Sequence, residues 1–231
     1  YDLEEYVKGI VHFYGKMEDM KEASNTLEKN LKIIDERTLF HYMTLEPSID
    51  LKKDYENMEN YPTVYSNIPL ANLYFMRDQQ AVGNNGIIIG NMKREQRSRE
   101  TQITDFVFTK IFKDPNIYRT SKNGHFEGGD FMPANIGTGS RTDFNGAFEA
   151  MNSGMLDYDK IGIVVNPTYD FSENDKMVNM HLDTYFNIAG DGLCVTSIYL
   201  AKRAVVSIYG KNAKNQYVKE DETTLYDFMK S

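Results

Sequence analysis

His125-Phe126-Glu127-Gly128-Gly129-Asp130 sets two carboxylates on either side of a glycine pair, a pattern that permits a tight backbone path and close approach by another group. Asp130 is also the middle of three evenly placed acids, with Asp78 lying 52 positions before it and Asp183 lying 53 after. Short β-rich runs accompany them, over 71–77, 86–91, 116–120, 160–165 and 180–188. Asn84-Asn85-Gly86 supplies the residue types of a tight hairpin turn, which tolerate positive φ. Glu100 to Phe112 places Ile103, Phe106, Val107 and Ile111 on one face and predicts a helix with a buried stripe; a second helix is expected from about Phe144 to Asn152. Each unit then reads strand, hairpin or loop, strand, helix, strand. Units of this length cannot bury an apolar face alone and pack against copies of themselves, in a propeller or another repeat array. An acid recurring at one place in each unit converges on the array's centre.

Before this repeat the texture differs. Tyr6, Ile10, Phe13 and Met17, then Leu27, Leu31 and Ile34, recur at helical spacing up to about Lys53, and Pro62 and Pro69 bracket the change. The expectation is a helical segment over 1–66 and an α/β part of about three units over 67–231.

Composition bounds the function. The chain has 231 residues, 41% hydrophobic and 26% charged, and no stretch approaches the roughly 18 apolar residues that a membrane span needs. Lys and Arg total 26 against 34 Asp and Glu, a net charge of -8, which repels nucleic acid and anionic membranes and favours a small cationic solute. One cysteine, Cys194, forms no internal disulfide, and with no basic-then-apolar leader the expected compartment is the cytoplasm. Cys194 lies in an apolar run with Leu193, Val195 and Ile198 and reads as a buried strand thiol.

The chemistry-bearing residues gather near the three acids. Asn72-Leu73-Tyr74-Phe75-Met76-Arg77-Asp78 reads as an apolar strand ending in a charged pair, open to a functional placement or a salt bridge. In Met180-His181-Leu182-Asp183-Thr184 a strand would project His181 and Asp183 to one side, as an acid/base pair or as a half-buried His with a stabilising Asp. Neither a metal nor a cofactor is expected, because His12, His41 and His125 show no ligand spacing and no lysine follows Gly137-Thr138-Gly139 as a phosphate loop requires. Arg97 and Arg141 can clamp a carboxylate at one end of a pocket, with Asp78 and Asp183 at the other for a cation.

The Asn72–Asp78 stretch, Arg97-Ser98-Arg99-Glu100-Thr101, Glu127-Gly128-Gly129-Asp130, Ser140-Arg141-Thr142 and Met180-His181-Leu182-Asp183-Thr184, in that order, resemble arginine deiminases over roughly residues 66–190. The resemblance implies a pentein-like α/β propeller of ββαβ units, of which this chain is a part, with the helical opening matching a helical insertion. It implies a hydrolase that converts arginine to citrulline and ammonia through a covalent cysteine intermediate. Asp78 and Asp183 then grip the guanidinium with Glu127 beside them, His181 is the general acid/base, Arg97 and Arg141 bind the α-carboxylate, and Asp130 joins the substrate contacts. No cysteine occupies the position the family pattern asks for, so the chain alone is expected to be inactive. A noncatalytic guanidine-binding relative and an amidinotransferase are the alternatives. The partner implied is a small guanidine, arginine first among them, with no nucleic acid or membrane and with a homo-oligomer left open.

Overall fold

Three helices form in the first part of the chain, where the apolar spacing places them: α1 (Leu3–Ile10), α2 (Met17–Leu31) and α3 (Glu36–Leu45). These belong to a computed structural model that describes residues 3–51, 63–66, 69–70, 72–167 and 179–230. Glu18 and Asp19 open α2 and Lys29 closes it, which suits the helix dipole. Asp35 caps α3 by accepting a hydrogen bond from the Thr38 N–H at 3.0 Å, and Glu46, at a φ of 47°, ends it. The helical reading missed a small sheet in which β1 (His12–Tyr14) runs parallel to β2 (Pro47–Asp50) and β2 pairs antiparallel with β3 (Thr63–Ser66). Phe13 therefore sits in a strand, and Met17, which was counted in the apolar stripe, is exposed. Lys53, Pro62 and Ala71, which carried the expected boundaries, lie outside the described residues. The chain divides into two units, Tyr1–Ala71 and Asn72–Ser231.

In the second unit the ββαβ pattern is built twice. First, β4 (Gln80–Val82) pairs antiparallel with β5 (Ile87–Ile89), α4 (Glu100–Ile111) crosses over, and β6 (Ile117–Arg119) returns parallel to β5. Second, β7 (Phe131–Met132) pairs antiparallel with β8 (Asn135–Thr138), α5 (Phe144–Asn152) crosses over, and β9 (Lys160–Val165) returns parallel to β8. The next stretch starts alike, with a β10 (Phe186–Gly190) and β11 (Leu193–Thr196) hairpin followed by the short α6 (Ile198–Ala201). Here the pattern changes: β12 (Val205–Lys211) pairs antiparallel with β9, and β13 (Tyr217–Thr224), followed by α7 (Leu225–Phe228), completes a five-stranded sheet ordered β13-β12-β9-β8-β7. The fold is thus mixed α/β, assembled from ββαβ units.

Strand β9 shows how that sheet is held. Ile161 and Ile163 enter one core with Ile136, Ala147 and Ala150, while Val164 enters another with Val206, Leu182 and Leu225. Alternate residues point to opposite faces, so a continuous apolar strand is what a sheet covered on both sides requires. Burying each Ile or Val contributes about 1.5–3 kcal/mol.

Some expectations fail locally. Residues 72–79 form turns, with the Phe75 N–H donating to Asn72 O at 3.0 Å, and Tyr74, Phe75 and Met76 are exposed. The run 180–188 is a strand only from Phe186, after a 3-10 turn over Leu182–Thr184. Helix α4 buries Glu100, Thr101, Ile103 and Thr104, whereas Val107 and Ile111 are exposed. The hairpin at Asn84-Asn85 exists, yet neither asparagine has a positive φ; their N–H groups donate to Leu156 O and Met155 O instead.

Candidate active site

The three spaced acids occupy equivalent places after all, each in a turn just ahead of a ββ hairpin. Asp78 precedes β4, Asp130 ends the 3-10 turn Gly128–Asp130 ahead of β7, and Asp183 lies in the Leu182–Thr184 turn ahead of β10. The glycine pair between Glu127 and Asp130 lets the other two turns come close. A Cβ on Gly128 would stand 2.2 Å from Arg77 O, and one on Gly129 would stand 2.8 Å from both Asp78 Oδ1 and the His181 ring. The Gly128 N–H donates to Asp78 O at 2.8 Å.

His181 is the centre of what results. Its Nε2 lies 2.8 Å from Glu127 Oε2 and its Nδ1 lies 3.8 Å from Asp78 Oδ1, and all three side chains are buried. Glu127 Oε1 accepts the Lys93 N–H at 2.9 Å. Burial works against a charged imidazole, but the bond to Glu127 and the charges of Asp130, Asp78 and Glu127 outweigh it and hold the His181 pKa above the usual histidine value. Burial likewise favours protonated Glu127, but the His181 and Lys93 hydrogen bonds and the His181 and Arg141 charges hold its pKa below the usual value. Both shifts favour the imidazolium–carboxylate form of the pair over its neutral form.

Asp183 does not pair with His181 across a strand. It is half-buried, its Oδ2 is 3.5 Å from Arg77 Nε, and its pKa is raised by burial and by the Asp78 charge, against the pull of His181 and Arg77. The local bonds of the 3-10 turn, including Thr184 Oγ1 donating to His181 O at 2.6 Å, compete with a strand ladder at this point. Asp130 is fully buried and makes no hydrogen bond to the imidazole; Oδ1 accepts from Asn166 Nδ2 at 2.8 Å and from the Leu182 N–H at 2.9 Å, and Oδ2 accepts from the Thr142 N–H at 3.3 Å. Burial pushes its pKa up to about 6 despite these donors.

The two arginines differ in setting. Arg97 Nη1 donates to Asp78 Oδ2 at 2.6 Å, while Nε and Nη2 form a fork on Glu100, whose carboxylate also accepts from Gln79 Nε2 at 2.7 Å. The expected opposite ends of a pocket, Arg97 and Asp78, therefore touch. Arg141 is buried, with Nη2 3.8 Å from Met180 Sδ, and its charge reaches Glu127. Glu100 escaped the sequence reading; the signal available was an Arg and a Glu three positions apart at a helix start, a pairing too common on surfaces to single out. Asp78, Glu127 and His181 each offer an atom within 4.8 Å of the others, a spacing that admits a cation, although each is already engaged as described. Cys194 is not part of this cluster and is not buried: it is exposed on β11, its Sγ 3.4 Å from Met229 Sδ, because a two-stranded hairpin covers neither of its own faces.

The family model described as arginine deiminase matches residues 6–230. The chain belongs to the arginine deiminase family. Among curated relatives it is 28% identical over 181 residues to an arginine deiminase of Streptococcus agalactiae, covering 74% of this chain and 42% of that one. It is 26% identical over 197 residues to the arginine deiminase of Streptococcus uberis, covering 80% and 47%. The chain thus spans less than half the length of these relatives. Among solved structures it is similar to DDAH from Pseudomonas aeruginosa complexed with citrulline, at a TM-score of 0.47 and 19% identity over 58% of this chain and 50% of that one. It is also similar to the N-terminal domain of ArgZ, an arginine dihydrolase from cyanobacteria, at a TM-score of 0.40 and 15% identity over 66% and 50%. Among the described residues no helix is long and apolar enough to cross a membrane.

Proposed function

We propose that this chain carries the guanidinium-binding and proton-handling part of an arginine deiminase-type hydrolase acting on the C–N bond of an amidine. The observation that carries the reading is one buried imidazole between two buried carboxylates, with Glu127 at Nε2 and Asp78 at Nδ1. Asp78 Oδ2 is engaged by Arg97, so Oδ1 is the oxygen that faces a ligand, with Asp183 as the second carboxylate. Two acids keep a guanidinium charged and its carbon electrophilic, and the His181 imidazolium, held by Glu127, protonates the departing ammonia. A cysteine thiolate adds to that carbon, and water then releases citrulline from the covalent intermediate. Exposed Cys194 lies on β11 outside the cluster of Asp78, Glu127 and His181, and in this reading it is not the nucleophile. Arg141, with Arg97 where Asp78 releases it, contacts the α-carboxylate, which favours arginine over agmatine. The chain is read as part of a cytoplasmic propeller.

Isothermal titration of the 231-residue chain tests this. L-arginine should bind at least tenfold more tightly than agmatine, and Asp78→Asn should abolish the signal. Equal binding of both ligands refutes the Arg141 assignment, and no binding of either refutes the site. Citrulline produced by a Cys194→Ala variant would show a nucleophile other than cysteine, whereas citrulline that disappears with that substitution would make Cys194 the nucleophile. Arginine binding without citrulline favours the alternative of a noncatalytic guanidine binder.

A further inference from the structure

The residues that touch His181 do not account for why it stays in place. Its backbone is extended, at φ -135° and ψ 160°, and it leads into a single 3-10 turn rather than a helix or strand that would fix it. What holds the turn is side-chain chemistry from the second ββαβ unit. Asp130 Oδ1 accepts the Leu182 N–H at 2.9 Å, the first amide after His181. The same oxygen accepts Asn166 Nδ2 at 2.8 Å, and Asn166 Oδ1 in turn accepts the Tyr185 hydroxyl at 3.0 Å. Asn166 is itself tied to β8, its N–H donating to Thr138 O at 2.8 Å. The relay thus runs from the end of β9, through two side chains, to both ends of the turn that follows His181. All three side chains are buried, so none of these bonds is shared with solvent.

The fold makes room for the relay. A Cβ on Gly137 would stand 2.5 Å from Asp130 Oδ1 and 3.0 Å from Asn166 Nδ2, so β8 leaves out a side chain where the carboxylate and the amide meet.

We propose that Asn166 and Tyr185 are positioning residues that act through Asp130 to hold the His181-Leu182 backbone in register against Glu127. An amide suits position 166 because it donates to the carboxylate and accepts from the phenol at once, which neither Asp nor Leu of similar size can do. Without Asn166 the buried Asp130 loses a donor and takes up a proton more readily, so its charge no longer supports the imidazolium that Glu127, Asp78 and Asp130 face together. The role in catalysis rests on the reading of His181 above, whereas the relay is measurable without turnover.

The test uses the intact 231-residue chain with isotope-labelled histidine, in two variants. Asn166→Ala should lower the His181 titration midpoint by about one unit and speed Leu182 amide exchange by about 10–100-fold, with Ile163 on β9 as the internal reference. Tyr185→Phe keeps the ring and removes only the hydroxyl; it should move both readouts the same way, with exchange about 3–10-fold faster. Should Asn166→Ala fail to fold, Tyr185→Phe alone decides. The proposal is overturned if Leu182 exchange rises no more than that of Ile163, since general loosening moves both, or if the His181 midpoint stays within 0.3 units. Arginine binding to the unsubstituted chain is scored separately: its absence beside an intact relay sinks the functional reading and leaves the relay standing.

Discussion

Glu127 and Asp130 flank the same pair of glycines and are both fully buried, yet their acidities move in opposite directions. Glu127 is hydrogen-bonded directly to His181, and that bond and the His181 and Arg141 charges let it ionise more easily than in water. Asp130 feels the His181 charge without bonding to it and accepts its hydrogen bonds from neutral groups, and together these do not offset the loss of hydration. Neutral donors and a charge at a distance orient a buried acid, but a direct hydrogen bond to the ion keeps it charged. The first carboxylate is suited to proton chemistry and the second to holding backbone.

Removing the ion should break the contrast most severely. His181→Ala leaves Glu127 buried without its cation, and urea unfolding at pH 7 should show a loss of about 3–5 kcal/mol. The pH profile sharpens this. The raised pKa of His181 adds stability that is complete below about pH 6.5 and is lost as pH rises through the folded value. The lowered pKa of Glu127 adds stability present above about pH 4.5 and lost as pH falls through its folded value. The deficit of His181→Ala should therefore be widest between those limits, and a flat deficit from pH 4 to 8 would contradict the ion-pair assignment.

Asp130→Asn probes the other side. Because the Asp130 pKa is raised, the folded chain binds a proton more tightly than the unfolded one, so stability is lost as pH rises from about 4 through about 6. The asparagine variant lacks that slope. Its deficit, due to an amide set against backbone donors, should be largest at pH 4 and shrink by roughly 2–3 kcal/mol by pH 7. A deficit that grows with pH would contradict the raised Asp130 pKa.

Gly129→Ala comes next in size. The added methyl meets Asp78 Oδ1 and His181 at 2.8 Å, so unfolding should cost about 1–3 kcal/mol less and the His181 titration should shift. The smallest effect is expected at Cys194, which lies outside both halves of the comparison. Cys194→Ser should change stability by less than about 0.5 kcal/mol, and the native thiol should react with a disulfide reagent without denaturant.

What the sequence revealed follows the same division between ions, dipoles and packing. Helix α5 and strand β9 were legible because a buried helix face and a strand buried on both sides leave periodic traces at short range. Residues 72–77 and 180–185 were not, since Tyr, Phe, Leu and Thr have strand preferences that local turn bonds overrode. The glycine pair at 128–129 announced a close approach, and Asp78 and His181 are what approach. The fork of Arg97 on Glu100 left only a common Arg–Glu spacing, and Asn166 and Tyr185 behind Asp130 left no trace, because each depends on which buried group happens to face it.

The antiparallel pairing of β12 with β9 carries a cost during synthesis. Strand β9 emerges from the ribosome well before its second neighbour, so for that interval a very apolar strand presents an open edge on the side that β12 later fills. The nascent chain is then most prone to sticking to its siblings, and slowing translation between the codons for these two strands should lower the soluble yield without altering the finished protein.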